Sequence, residues 1–252
     1  MLLPVNSFKH AILSGKRQIG LWSSLGSSTA SEIIAGAGFD WVLVDTEHAP
    51  NELPDVLAQL RAMSESTTTA VVRPAWNDMV LVKRFLDIGA QALLIPFVQD
   101  AAEAAYAVSS MRYPPRGTRG VGLSHHANRY GRIENYFDTV EDELCLLVQL
   151  ETREALAELE AIATTDGVHG VFIGPSDLSA SLGHLGDPNH PDVQGAIADA
   201  LDRCERTNTP AGILTGVVDD ANRYLDMGFT FVAVGVDTGI LRRASEDLRK
   251  LF

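Results

Sequence analysis

The chain of 252 residues is long enough to bury a full core, and it reads as one barrel-sized domain spanning 1–252, with no linker to divide it. Its 20 basic and 33 acidic residues give a formal charge of −13, which argues against a nucleic-acid or anionic-membrane partner but leaves room for an anionic substrate beside focused arginines. No apolar run approaches the ~20 residues of a membrane span, and the opening MLLPVNSFKHAILSGK lacks a signal-peptide core, so a soluble, cytoplasmic protein is expected.

Residues 18–25, QIGLWSSL, read as a first strand, and Ser28 begins a helix that ends near the glycines of AGAGFD. WVLVD at 41–45 is a second strand, followed by the polar turn TEHAPNE and a helix to about Met63. TAVVR at 69–73 is a third, stopped by Pro74; Asn77 or Asp78 caps the next helix, which ends at Gly89. Residues 92–98 form a fourth, with Asp100 capping its helix. The rhythm then breaks over 112–140, rich in Gly, Pro, Arg and aromatics, a length that in a compact domain marks a lid or an assembly surface. Strands resume at 144–150, 170–173, 211–215 and 231–234, each followed by a helical segment. Eight strand and helix pairs with right-handed crossovers predict a closed (β/α)8 TIM barrel; an open doubly wound sheet is disfavoured because no GxGxxG follows the first strand. Cys145 and Cys204 have no CxxC or Cys/His company and read as small core residues.

In such a barrel the polar residues at strand C-termini face the chemistry. They are Trp22 and Ser23; Asp45, Glu47 and His48; Arg73; Gln149 and Glu151; Ser176 and Asp177; and Thr215. LLVQLE at 146–151 and VFIGPSD at 171–177 bring Glu151 and Asp177 to adjacent strand ends, an all-oxygen pair suited to a divalent cation such as Mg2+, Mn2+ or Co2+. The competing reading makes each of them an N-cap of its following helix. His48 is a candidate proton acceptor, with Asp45 three residues earlier as a local partner. Arg73 needs an anion, either a structural partner in Asp45 or Glu47, or a substrate carboxylate or enolate oxygen. The only lysines, Lys9, Lys16, Lys83 and Lys250, lie away from strand C-termini, which excludes a Schiff base and leaves metal-assisted proton abstraction beside a carbonyl.

The segments DTEHAPN at 45–51, VVRPAWND at 71–78, YPPRGTRGVG at 113–122, LVQLETREA at 147–155, GVFIGPSDLSASLGHLG at 170–186 and FVAVGVDTGIL at 231–241 resemble the HpcH/HpaI family of class II pyruvate aldolases, in order and over nearly the whole chain. The resemblance implies reversible aldol cleavage of a 4-hydroxy-2-oxo acid to pyruvate, or a close relative, and an aldehyde. It also implies a homo-hexamer, a dimer of trimers, that exchanges its C-terminal helix between subunits. By position it makes His48 the proton acceptor, Arg73 the transition-state stabiliser, Asp87 the acid behind His48, and Glu151 and Asp177 the metal ligands. Gln149, Ser176 and Asp177, with Gly174, Leu214 and Trp22, form the implied substrate-binding set. Asp87 lies late in a helix running away from the rim, so it would reach such a site only across a subunit interface. The chain departs from the family at Thr46, where glycine is common, and at His126, where the sugar-acid aldolases carry arginine. The long loop, with Arg119, His125, His126, Asn128 and Arg129, is expected to fold over the mouth and select the aldehyde. Two other readings compete: a malyl- or citramalyl-thioester lyase of the same superfamily, whose need for a basic coenzyme cleft the charge of −13 disfavours, and a catalytically silent anion-binding barrel.

Overall fold

Short apolar runs buried on both faces alternate with amphipathic helices, and in the computed structural model, which describes residues 1–252, they close on themselves. A short helix, α1 (Ser7–Leu13), precedes β1 (Gln18–Ser23), and the units follow in turn: α2 (Ser28–Ala35), β2 (Trp41–Asp45), α3 (Leu53–Met63), β3 (Thr69–Arg73), α4 (Met79–Asp87), β4 (Ala92–Ile95) and α5 (Ala101–Met111). The second half runs α6 (Tyr136–Glu143), β5 (Cys145–Leu150), α7 (Arg153–Ala157), α8 (Leu159–Ala163), β6 (Gly170–Ile173), α9 (Pro175–Ser181), α10 (Pro191–Arg206), β7 (Ala211–Leu214), α11 (Val218–Met227), β8 (Phe231–Val236) and α12 (Asp237–Arg249). The eight strands are parallel and pair in sequence order, with β8 returning to β1. This is the expected (β/α)8 barrel.

Two apolar layers hold it. Inside the barrel, Trp22, Leu43, Val71, Leu94, Leu147 and Phe172 pack above a floor of Trp41 and Phe231, and Phe8 and Ile12 of α1 plug the N-terminal end from below. The Phe8 ring meets Trp41 at 5.5 Å and stands edge-on to Phe231 at 5.6 Å. Gly20 and Gly212 make room for these rings, since a Cβ at either would overlap Trp41 or Phe231 respectively. The second layer, from Val42 and Val44 round to Val232, lies between the strands and the helices. Cys145 belongs to the inner layer and Cys204 to the outer, and burial pushes both thiols up to about 12, which makes them inert packing residues.

Strand ends depart from the sequence expectation where side chains or proline intervene. β1 stops at Ser23 because the backbone N–H groups of Ser24 and Leu25 turn to the buried carboxylate of Asp237. β4 stops at Ile95, before Pro96, and Phe97 then takes a left-handed φ of 55°. Asp78, not Asn77, caps α4, accepting from the backbone of Val80 and Leu81.

The expectation of an irregular lid over 112–140 is corrected in two ways, its alternative as an assembly surface standing apart from both. Its end is helical, since α6 begins at Tyr136. The remainder lies at the base of the barrel, opposite the strand C-termini, because it joins a descending helix, α5, to an ascending strand, β5. Arg119, fully buried, donates to Asp87 at the foot of α4 (2.8 Å) and stacks on Tyr113 at 4.5 Å, while the Ala127 N–H donates to the Asp87 carbonyl. His126 lies against Gly89, just past the end of α4. Within one chain this loop cannot cover the mouth.

Candidate active site

At the strand C-termini, pairing sets Asp45 beside Arg73, the last residues of β2 and β3. The guanidinium donates through Nε to Asp45 Oδ1 (2.9 Å) and through Nη2 to Oδ2 (2.7 Å), the two-point fork that only arginine makes. The Trp22 indole N–H also donates to Oδ2 (3.2 Å), and the backbone N–H groups of Glu47 and His48 reach Oδ1 at 3.0 and 3.4 Å. Burial pulls the Asp45 pKa upward, but the bonds and charge of Arg73 outweigh it and hold it below its ordinary value.

The remaining edge of Arg73 points across the barrel. Its Nη1 lies 2.9 Å from Glu47 Oε2, a charge contact without hydrogen-bond alignment, and 3.4 Å from the side-chain Oε1 of Gln149. That contact orients the Gln149 amide, whose NH2 donates to Glu151 Oε2 at 2.6 Å. Glu151 Oε1 accepts from the Phe97 backbone N–H at 3.0 Å, so the left-handed turn after β4 serves to aim an amide at this carboxylate. The Trp22 ring lies beneath the guanidinium, 5.0 Å from its carbon. A continuous network thus runs Asp45–Arg73–Gln149–Glu151.

Glu151 is 2 % exposed, and its pKa is pushed up to about 7, by burial first and then by the neighbouring Asp177 and Glu47 carboxylates, against the Gln149 bond. Glu47 is raised as well, by burial first, with Asp45 and Asp177 adding to it against Arg73. Carboxylates that crowd one another at a buried rim form a donor set short of positive charge, which fits a hard divalent cation. Glu151, buried, and Asp177, exposed in the first turn of α9, are the residues that could hold it. The N-cap reading of the pair fails: Thr152 caps α7 with its hydroxyl, and Gly174 stands at the cap of α9, leaving Asp177 exposed in the first turn without a capping bond. Gly174 is confined by the site, since a Cβ there would come within 2.5 Å of Glu151 Oε2 and 2.9 Å of the Gln149 amide nitrogen.

The other expected residues are placed as follows. Ser176 is exposed beside Asp177, and Leu214 is half-buried at the end of β7 against the inner layer. His48 projects from the turn after β2 with its side chain 64 % exposed, and its nearest carboxylate is Glu47, at 3.8 Å. Asp45, expected as a local partner for His48, is instead committed to Arg73 and meets His48 only through the backbone. Asp87 lies at the opposite end of the barrel with Arg119, and within the chain it is not brought to His48. Two contributors were not singled out from sequence. Glu47 is expected at the rim and as a partner for Arg73 but not beside Glu151 and Asp177, since β3 and β4 separate β2 from β5 in the barrel. The Phe97 N–H left no signal beyond the Pro96 that precedes it.

Residues 18–244 match the model of a family described as HpcH/HpaI aldolase/citrate lyase. A relative named pyruvate aldolase, from Rhizobium etli, is 56 % identical over 252 residues, covering 100 % of this chain and 99 % of that protein. A 4-hydroxy-2-oxo-heptane-1,7-dioate aldolase from Klebsiella pneumoniae is 52 % identical over 98 % of this chain and 94 % of its own. A crystal structure of an HpcH/HpaI aldolase/citrate lyase family protein from Burkholderia cenocepacia superimposes with a TM-score of 0.95 at 39 % identity, over 98 % of both chains.

Proposed function

The chain belongs to the HpcH/HpaI aldolase/citrate lyase family and is a carbon–carbon lyase of the aldolase kind, and from that premise we propose that it cleaves 4-hydroxy-2-oxo acids reversibly to pyruvate, or hydroxypyruvate, and an aldehyde. The observation that carries this reading is the Asp45–Arg73–Gln149–Glu151 network at the strand ends, with Asp177 and His48 beside it. The cofactor is a divalent metal ion, Mg2+, Mn2+ or Co2+, held by Glu151 and Asp177; it supplies Lewis-acid polarisation of the 2-oxo carbonyl. Arg73, fixed by Asp45 on one edge, turns its Nη1 edge toward the oxygen on which enolate charge develops. His48, exposed and free to meet substrate, takes the proton of the 4-hydroxyl as the C3–C4 bond breaks and the aldehyde leaves. Return of that proton from His48 to C3 of the enolate, directly or through water, then gives pyruvate and restores the base. Gln149, Ser176, Gly174, Asp177, Leu214 and Trp22 shape the 2-oxo acid site.

Asp87 serves a His48 only from a neighbouring subunit, in keeping with a cytoplasmic homo-hexamer that exchanges α12. The relatives named as aldolases cover nearly the full chain, which disfavours the thioester lyase and the silent barrel. Deuterium exchange into the pyruvate methyl group, with and without added Mn2+ or Mg2+, tests the reading before the aldehyde is known. Exchange that depends on the metal and is untouched by borohydride is the expected result. No exchange at any metal concentration, or pyruvate trapped on a lysine, would overturn it.

A further inference from the structure

Beyond the rim, one group of side chains has the composition of a metal site of a different character. It lies where the chain leaves α9, the helix carrying Asp177, and enters α10. Gly183 and Gly186, at φ 91° and 81°, fold residues 182–190 into a tight turn. The His184 N–H donates to the Ser179 carbonyl (2.7 Å), Asp187 N–H to His184 O (2.9 Å), and His190 N–H to Asp187 O (3.2 Å). Gln194 adds a side-chain bond to the Pro188 carbonyl at 2.8 Å. The turn thereby delivers His184, His190 and Asp192 to one spot on a braced backbone, and their candidate ligand atoms all lie within 4.8 Å of one another.

We propose that His184, His190 and Asp192 bind a second divalent ion, of the nitrogen-preferring class of Zn2+, Ni2+ or Co2+, which staples the end of the α9 segment to the start of α10. Asp192 Oδ2 is the shared vertex: it lies 3.1 Å from His184 Nε2 and 3.7 Å from His190 Nδ1. Ligand atoms about 2.1 Å from one ion stand about 3 to 3.5 Å apart, so the carboxylate already sits at ligand spacing from His184, while His190 must move slightly closer. Two imidazoles and one carboxylate select borderline transition metals, whereas the all-oxygen rim suits Mg2+. The three side chains are 25 %, 34 % and 71 % exposed, which leaves water free to complete the coordination. The two rings stack, with centroids 3.4 Å apart and planes within 13°. For both lone pairs to face one ion the rings must splay, by rotation about the soft Cβ–Cγ torsion. His190 Nδ1 already accepts the Asp192 N–H (3.2 Å) as the cap of α10, so metal binding through that nitrogen exchanges the cap bond for the ion.

The experiment separates those two roles and also separates this site from the rim. The full-length chain, free of any affinity tag and carrying Glu151→Gln and Asp177→Asn to silence the rim, is dialysed against micromolar Zn2+ with millimolar Mg2+ present, and bound metal is measured. The expected result is retention of about one Zn2+ per chain, with a rise in melting temperature. Adding His184→Asn or His190→Asn should weaken Zn2+ at least about tenfold, the order seen when even a supporting residue of a ligand is lost. Asparagine at 190 retains an N-cap acceptor, so its loss of metal reports the imidazole and not the cap. Absence of Zn2+ from the rim-silenced chain, or equal retention in the histidine variants, would overturn the proposal.

Discussion

Arg73 illustrates how one residue type constrains a whole site. Its planar fork satisfies Asp45 with two bonds while the remaining nitrogen faces Glu47 and Gln149. A lysine keeps the charge but offers a point donor on a flexible stem, so it cannot hold Asp45 and face the substrate together. Arg73→Lys is therefore expected to lower kcat by ~10²- to 10³-fold, the usual cost of an oxyanion donor. Near-normal turnover would make Arg73 a structural ion-pair residue only. Gly174→Ala tests the packing of the ligand pair, because the new methyl would press on Glu151 Oε2. It should weaken metal binding and raise the metal concentration needed for pyruvate exchange, with the circular dichroism unchanged; an unaltered metal requirement would place Glu151 outside the metal site. Most of this rim was readable before folding, because strand C-termini announce themselves as apolar runs ending in polar residues. The partnership of His48 was not. Asp45 is near it in sequence, but a bidentate arginine on the adjacent strand outcompetes an imidazole for a buried carboxylate.

At the scale of elements, strand and helix order followed from periodicity, while errors gathered where a connection's direction was overlooked. Residues 112–140 are expected as a lid or an assembly surface, and the histidines and arginines of 119–130 draw that expectation to the mouth. They precede a strand, and every helix-to-strand connection of a β/α barrel lies at the N-terminal end. That rule was available from topology alone. The base has its own chemistry, seen in His169 ahead of β6. Its backbone N–H donates to the Leu146 carbonyl (2.8 Å), and its ring Nδ1 accepts the Leu146 N–H (3.1 Å), clasping β6 to β5. Burial, with Lys9 and Arg112 nearby, lowers the imidazole pKa to about 4. The unfolded chain takes up this proton near pH 6.5 and the folded chain only near 4, so between these values the unfolded state holds more protons and stability rises with pH. The contribution is complete above about pH 6.5 and is lost as pH falls toward 4, on the order of 3 kcal/mol in all. His169→Asn keeps an acceptor for the Leu146 N–H but cannot titrate. In urea melts across this range, wild type should lose stability relative to the variant as pH falls, and a difference that does not change with pH would refute the half-buried neutral imidazole.

For the whole molecule, the barrel accounts for every element except the last. No helix is long and apolar enough to cross a membrane, yet α12 presents apolar side chains that nothing in the chain covers. Of its residues only Asp237 is buried, and that side chain clasps the start of the β1–α2 connection through Ser23, Ser24 and Leu25. Farther along and just past its end, Ile240, Leu241, Leu248, Leu251 and Phe252 are 44 % to 93 % exposed. Single exposed apolar residues are ordinary, but a run of them on the terminal helix is the surface on which we propose that another chain packs. Leu241 and Leu248, seven residues apart, share one helical face, so Leu241→Asp with Leu248→Asp charges that face without touching the barrel. If α12 is exchanged between subunits, as we propose, the wild type should sediment as a multiple of 27.2 kDa and the double variant as a smaller species with its circular dichroism preserved. Since Asp87 would reach His48 only from a neighbour, the same variant should also lose pyruvate exchange while still binding metal at Glu151 and Asp177. A wild type that sediments as a single chain and still exchanges pyruvate would refute both the helix exchange and any role for Asp87.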